Sequence, residues 1–135
     1  HKVASLICYE SFFGGYVTEF VRNGADLLFV ITNDGWWGNT PGHKQHFEMS
    51  KLRAIENRRG VARSANTGIS GFINQRGDVM EKTNYWEPAA LRNTLKANEK
   101  ITFYSQHGDY IYRVASFIAV IVLCFSVVIS IAKKR

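Results

Sequence analysis

Two cysteines occur in the 135 residues, in very different settings. Cys8 stands where a short apolar run, VASLI at 3–7, gives way to Glu10–Arg22, in which Phe12, Phe13, Tyr16, Val17, Phe20 and Val21 fall at helical spacing. A thiol at a strand-to-helix junction feels the unsatisfied N–H groups of the helix start, which stabilise its thiolate. The N–H of Tyr9 would then face an oxyanion formed on a substrate bound to the sulfur. The competing reading of Cys8 is a small buried hydrophobe. Glu10, in the first turn, is either a carboxylate favoured by the helix macrodipole or an acid–base or orienting group beside the thiol. Cys124 lies inside a long apolar run, so no disulfide between the two is expected.

A second concentration of reactive and aromatic groups is Asn33-Asp34-Gly35-Trp36-Trp37-Gly38, directly after the apolar run LLFVIT at 27–32. A loop at the carboxyl end of a second buried strand shares a sheet edge with Cys8, the edge where open α/β sheets bind ligands. Two adjacent tryptophans in a Gly-rich loop are hard to bury together, so one of them is expected to face a ligand or the lipid interface, and Asn33, Trp36 and Trp37 are the candidate substrate contacts; the competing reading is a well-packed turn. His43 and His46 are three apart, and no Cys or carboxylate completes a ligand set, so a packed or capping role is expected and no metal site. A Cys–His pair with Cys8 is formally open. Arg53, Glu56, Arg58, Arg59 and Arg63 read as a solvated face or a structural ion-pair network. No Gly-rich phosphate loop, Walker pattern or GxSxG elbow is present.

The elements that must position these groups follow from periodicity and turn chemistry. Strands are expected at Val3–Ile7, Leu27–Thr32, Val61–Ala65, Ile69–Asn74 and Val79–Glu81. Helices are expected over Glu10–Arg22, ended by Asn23-Gly24, and over His43–Arg59, with Phe47, Leu52 and Ile55 as the apolar stripe. That alternation, closing on a hairpin, is an α/β pattern. Residues 82–110 are polar and weakly periodic, a wrapping segment with one strand near Ile101–Tyr104.

Val114–Ala132 then gives nineteen residues without charge, Pro or Gly, enough for a membrane-spanning helix. Residues 1–110 carry 13 basic and all 11 acidic side chains, so the net charge of +6 comes largely from Arg113 and the terminal Lys133, Lys134 and Arg135. A charge set by a membrane anchor is not a clustered basic face, and no nucleic-acid partner is expected. The basic end favours the cytoplasmic side, placing residues 1–110 outside, with Tyr104, Tyr110 and Tyr112 at the outer interface. Two units follow: 1–110, and 111–135 with the helix and its basic tail. The chain opens at His1 directly on a strand-like run and is expected to be the C-terminal part of a longer, multi-pass protein.

Taken in order, ICYES at 7–11, GADLLFVITNDGWWGNTPG at 24–42, QHFEMSKLRAIENRRGVARSANTGISGFINQRGDV at 45–79 and the terminal span resemble the apolipoprotein N-acyltransferases. These are membrane enzymes with a nitrilase-like (carbon–nitrogen hydrolase) catalytic domain. The resemblance implies part of an αββα sandwich followed by one transmembrane helix, at the bacterial cytoplasmic (inner) membrane, with the catalytic domain extracytoplasmic. It implies a Glu-Lys-Cys triad, with Cys8 as nucleophile, Tyr9 lending its backbone N–H, Glu10 supporting the site and Trp36 in the substrate loop. The implied partners are a phospholipid acyl donor and a diacylglyceryl apolipoprotein acceptor, without cofactor or metal. No Glu or Lys of this sequence matches the other two triad positions, which the family places upstream of the nucleophile, so these residues alone are expected to be inactive. Glu56 reads as a brace for the site from its helix. Two other readings stay open: a membrane-tethered nitrilase-type amidase with water as acceptor, and a non-catalytic membrane-anchored binding domain in which Cys8 is core.

Overall fold

Apolar runs bounded by turn residues fold into a five-stranded mixed sheet in the computed structural model, which describes residues 1–133. β1 (Val3–Ile7), β2 (Leu27–Thr32) and β3 (Gly60–Ala65) run parallel. β4 (Gly71–Ile73) and β5 (Val79–Lys82) continue the sheet antiparallel, in the order β1-β2-β3-β4-β5. Parallel neighbours need crossovers, and these are α1 (Gly14–Arg22) and α2 (Pro41–Asn57). Thr40 caps α2, its side chain accepting from the Gly42 N–H, and Pro41 opens the helix, where a missing N–H costs nothing. The core lies between one sheet face and these helices. Ala4, Leu6, Leu28, Val30, Val61 and Ile73 meet Val17 and Val21 of α1 and Phe47 and Ala54 of α2.

The other sheet face is covered only in part. Val3, Ile7, Phe29 and Ile31 alternate with the core residues and are exposed, Ile31 by 51%. Runs apolar on both faces suit a sheet covered twice; here one cover is present. The irregular segment after β5 crosses part of this face, Ala89, Ala90 and Leu91 lining a groove with Phe29, Ile31 and Phe72. It also reaches the amino end of β2, where the Asn98 N–H donates to the Asp26 carbonyl at 3.3 Å.

Three expectations need correction. The first helix does not begin at Glu10: residues Cys8–Phe12 form a 3-10 turn, the chain breaks at Phe13, and α1 starts at Gly14. The α2 stripe is not Phe47, Leu52 and Ile55. Leu52 and Ile55 are exposed, and the buried face is His43, His46, Phe47, Ser50, Arg53, Ala54 and Asn57. The strand expected near Ile101–Tyr104 is replaced by a short helix, α3 (Phe103–His107). Its Thr102 side chain accepts from the Ser105 N–H, supplying the cap that converts an extended run into a turn.

After Gly108 comes α4 (Tyr110–Ala132), 23 residues long, uncharged after Arg113 and long and apolar enough to cross a membrane, with none of its residues buried. Lys134 and Arg135, two of the residues behind the expected orientation, lie outside the described residues.

Candidate functional site

Strand register assembles the site. Ile7 pairs with Ile31, and Thr32 with Ala65, so Cys8, Thr32 and Asn66 emerge together at the carboxyl edge of the parallel strands. Cys8 is half-buried and has φ of +49°, a left-handed conformation that few non-glycine residues adopt. Because the turn it opens is a single 3-10 turn of five residues, the expected α-helix start beneath the sulfur is absent. The group that meets the sulfur is the Thr32 hydroxyl, with Oγ1 3.3 Å from Cys8 Sγ and 3.1 Å from Asp34 Oδ1. Its single hydrogen serves one acceptor at a time.

Glu10 braces this turn. Its Oε2 accepts from the Ile7 N–H at 2.6 Å and its Oε1 from the Tyr16 hydroxyl at 3.2 Å, so the carboxylate spans the residue before Cys8 and the first turns of α1. Ser11 closes the turn from inside, donating to the Cys8 carbonyl at 2.8 Å, and lies 3.0 Å from His46 Nε2.

Behind the cysteine is a dry ionic cluster. Asp34, fully buried, accepts from His46 Nδ1 at 2.9 Å and from Arg63 Nη2 at 2.8 Å. Arg63 also donates to the Ile69 carbonyl at 3.1 Å and to Ser50 Oγ at 3.0 Å. Burial alone would raise the Asp34 pKa. The His46 hydrogen bond and the Arg63 charge outweigh it and hold the carboxyl below the usual carboxylate range. His46 is thus the packed histidine expected. His43 is buried as well, stacked on Tyr85 with ring centroids 4.0 Å apart. Arg53, Arg59 and Arg63 are buried, so the arginine-rich stretch is an internal network and not a solvated face.

Aromatic rings gather on the turn that Cys8 opens. Tyr9 stacks on Phe12 at 5.1 Å and approaches Trp37 at 6.0 Å, and Phe12 lies against His46 at 4.7 Å. Trp37 is half-buried while Trp36 is 85% exposed, so the pair divides as the Gly-rich loop suggested. Asn33 is exposed at the same edge, but its Oδ1 is spent on the loop, accepting from the Gly35 N–H at 3.1 Å and from Asn66 Nδ2 at 3.4 Å.

Thr32, Asp34, Ser11 and Arg63 were not among the expected site residues. One signal was available: Arg63 stands in the middle of the strand VARSA, where a charge needs a buried partner.

Comparison with known proteins matches residues 1–106 to the carbon-nitrogen hydrolase model. The chain belongs to the carbon-nitrogen hydrolase family. Among curated relatives, it is 43% identical over 118 residues to the apolipoprotein N-acyltransferase of Chlorobaculum tepidum, covering 87% of this chain and 22% of that protein. It is 37% identical over 108 residues to that of Geobacter metallireducens, covering 80% and 21%. The chain therefore spans about a fifth of the length of the curated relatives it matches.

Solved members of this hydrolase family share the fold. A carbon-nitrogen hydrolase from Helicobacter pylori superposes with a TM-score of 0.54 at 12% identity, covering 62% of this chain and 36% of that one. An amidase from Nesterenkonia sp. AN1, carrying acrylamide added at its active site cysteine, gives 0.52 at 22% identity, covering 64% and 36%. The chain is thus a partial nitrilase fold with a long apolar C-terminal helix appended.

Proposed function

We propose that this chain is part of an apolipoprotein N-acyltransferase in which Cys8 carries the acyl group. Sγ attacks the ester carbonyl of a phospholipid; a C–S bond forms, the C–O bond breaks, and the lysophospholipid oxygen leaves with a proton. The α-amine of a diacylglyceryl-cysteine lipoprotein then attacks the thioester; a C–N bond forms, the C–S bond breaks, the amine proton is lost and the thiolate returns. A thioester suits both halves, because thiolate attacks well and also leaves readily. The Tyr9 N–H, in the first turn, faces the oxyanion of each tetrahedral intermediate. Glu10 holds the turn, and Trp36 and Trp37 line the approach of the acyl chain. The general base is assigned to no residue of this chain.

The observation that carries the reading is the conformation of Cys8: a left-handed, half-buried residue at a parallel-strand edge, opening a turn in which Tyr9 stacks on Phe12 and approaches Trp37. Acyl transfer is favoured over tethered amidase chemistry by the names of the relatives and by α4. A lipid donor is met at a bilayer surface, and a helix that buries nothing against its own domain is free to sit in one. In this reading α4 crosses the bacterial cytoplasmic membrane and the domain lies outside.

The test is intact mass spectrometry of the full-length protein after incubation with phospholipid, with Cys8→Ser alongside. The expected result is a hydroxylamine-labile gain of one acyl chain in the wild type only. A folded wild type that takes up no chain overturns the proposal and brings the amidase and binding readings forward.

A further inference from the structure

α4 extends from the domain without burying a residue against it, yet the residue that precedes it is bonded to α3, α3 is pinned to α2, and α2 holds the Cys8 turn. Asp109 precedes α4 in the N-cap position, where an aspartate ordinarily accepts from the helix's own N–H groups. It makes no such bond; its Oδ1 accepts from the Tyr104 hydroxyl at 2.9 Å. Tyr104 belongs to α3, which is pinned to the end of α2. Ser105 Oγ donates to Asn57 Oδ1 at 2.9 Å, and Thr102 Oγ1 donates to the Glu56 carbonyl at 2.6 Å.

One turn back along α2, on the same side, Arg53 reaches the Cys8 turn. Its Nη1 donates at 2.9 Å to the carbonyl of Phe12, the last residue of the Cys8 turn, while its Nη2 donates to Glu56 Oε1 at 3.1 Å. The two ends meet at Gly14, where a Cβ would strike the Tyr104 hydroxyl and come within 2.9 Å of Arg53 Nη1. Only glycine lets the start of α1, the juxtamembrane tyrosine and the α2 arginine converge.

The four groups also form one electrostatic unit. Burial pushes the Tyr104 hydroxyl up to about 12, with the hydrogen bond to Asp109 and the charge of Glu56 adding to it. Burial likewise raises Glu56, against the pull of Arg53 and with the push of Asp109.

We infer that Tyr104 and Asp109, acting through Arg53 and Glu56, are positioning residues that fix the height of Cys8 above the lipid surface in which α4 sits. The inference rests on the acyltransferase reading for its substrate. The ester carbonyl of a phospholipid lies at a set depth in the interface, so a thiol held on a stiff mount meets it in a narrow range of geometries. Loosening the mount leaves the thiol intact and blurs its height. A donor dissolved in water makes no such demand.

The experiment uses the full-length protein in vesicles of phosphatidylethanolamine and phosphatidylglycerol, with Tyr104→Phe, Asp109→Asn and the double variant. Thioester formation on Cys8 is timed with vesicle phospholipid and, separately, with a water-soluble p-nitrophenyl butyrate. We expect each single variant to slow acylation from vesicles by roughly tenfold, the double variant to be no slower than either, and butyrate acylation to stay within about twofold of wild type. Equal losses with both donors, or no loss with either, overturn the inference.

A second measurement needs no acyl transfer. Bimane on Cys8, quenched by lipids carrying nitroxides at different depths, should report a deeper or broader distribution in the variants. An unchanged depth overturns the inference. A wild type that takes no acyl chain from phospholipid overturns the functional reading instead, and the bimane depths then decide the mount by themselves.

Discussion

Two polar clusters meet α2, one at His46 and one at Arg53 and Glu56, and they are built on opposite plans. Around Asp34 the groups are dry and complete: Asp34, His46 and Arg63 have fully buried side chains, and the carboxylate has a partner on each oxygen. Around Glu56 the carboxylate keeps partial contact with solvent. Its Oε2 lies 3.0 Å from Arg53 Nε, yet neither atom completes a well-formed hydrogen bond. A complete ion network in a dry interior has a single geometry and a high cost of disruption. A partly wet one yields. The first plan suits the floor beneath the proposed nucleophile, and the second suits a joint between the domain and the long apolar helix.

The contrast is open to attack at its strong end first. Asp34→Asn leaves Arg63 without its counter-charge in a dry site and should cost about 3–5 kcal/mol in unfolding of the full-length protein. The linkage has a definite sign. The folded carboxyl is held below its unfolded value of about 3.9, so its contribution is fully present above that pH and is lost as pH falls through the folded value. Urea midpoints between pH 7 and pH 3 should drop more steeply in wild type than in Asp34→Asn. Parallel pH curves for the two would erase the distinction between the clusters.

Gly68→Ala probes the same floor by volume. A Cβ at Gly68 would fall on the Asp34 carboxylate, and accommodating it should cost about 1–3 kcal/mol. A high-resolution structure of the variant should show the Asp34–Arg63 pair displaced; an undisturbed pair would mean that the floor yields as easily as the joint. The smallest effect is expected from Thr32→Val, which keeps the side chain's shape and removes the hydroxyl facing Sγ. One neutral hydrogen bond is worth about 1 kcal/mol, so alkylation of Cys8 by iodoacetamide should slow by roughly fivefold with little change in stability. Unchanged alkylation would detach the floor from the thiol's reactivity.

How far the sequence carried these conclusions depended on what each segment had to bury. β1, β2 and β3 were legible because apolar runs bounded by turn residues leave few alternatives. The Cys8 edge followed, since consecutive parallel strands bring their carboxyl ends together. The inner face of α2 was not legible. It is mostly polar, and periodicity read from hydrophobic residues picked Leu52 and Ile55, which face out. Asp34 was hidden for a related reason: an Asp between Asn and Gly reads as turn chemistry, and only the fold brings Arg63 and His46 to it, from 29 and 12 residues away. α3 escaped because five residues are too few to show a period, and its cap residue, Thr102, resembles strand. The exposed second face of the sheet followed from no local pattern, because a strand apolar on both sides reads the same whether one cover or two are present.

The left-handed backbone of Cys8 implies a standing tension between survival and work. Holding a non-glycine residue at φ of +49° costs on the order of 1 kcal/mol or more, and glycine or asparagine would sit there with less strain. A population of variants sorted for thermal resistance alone should therefore drift away from cysteine at position 8, and one sorted for acyl transfer should restore it. The residue most exposed to that pull is the one on which the proposed chemistry depends.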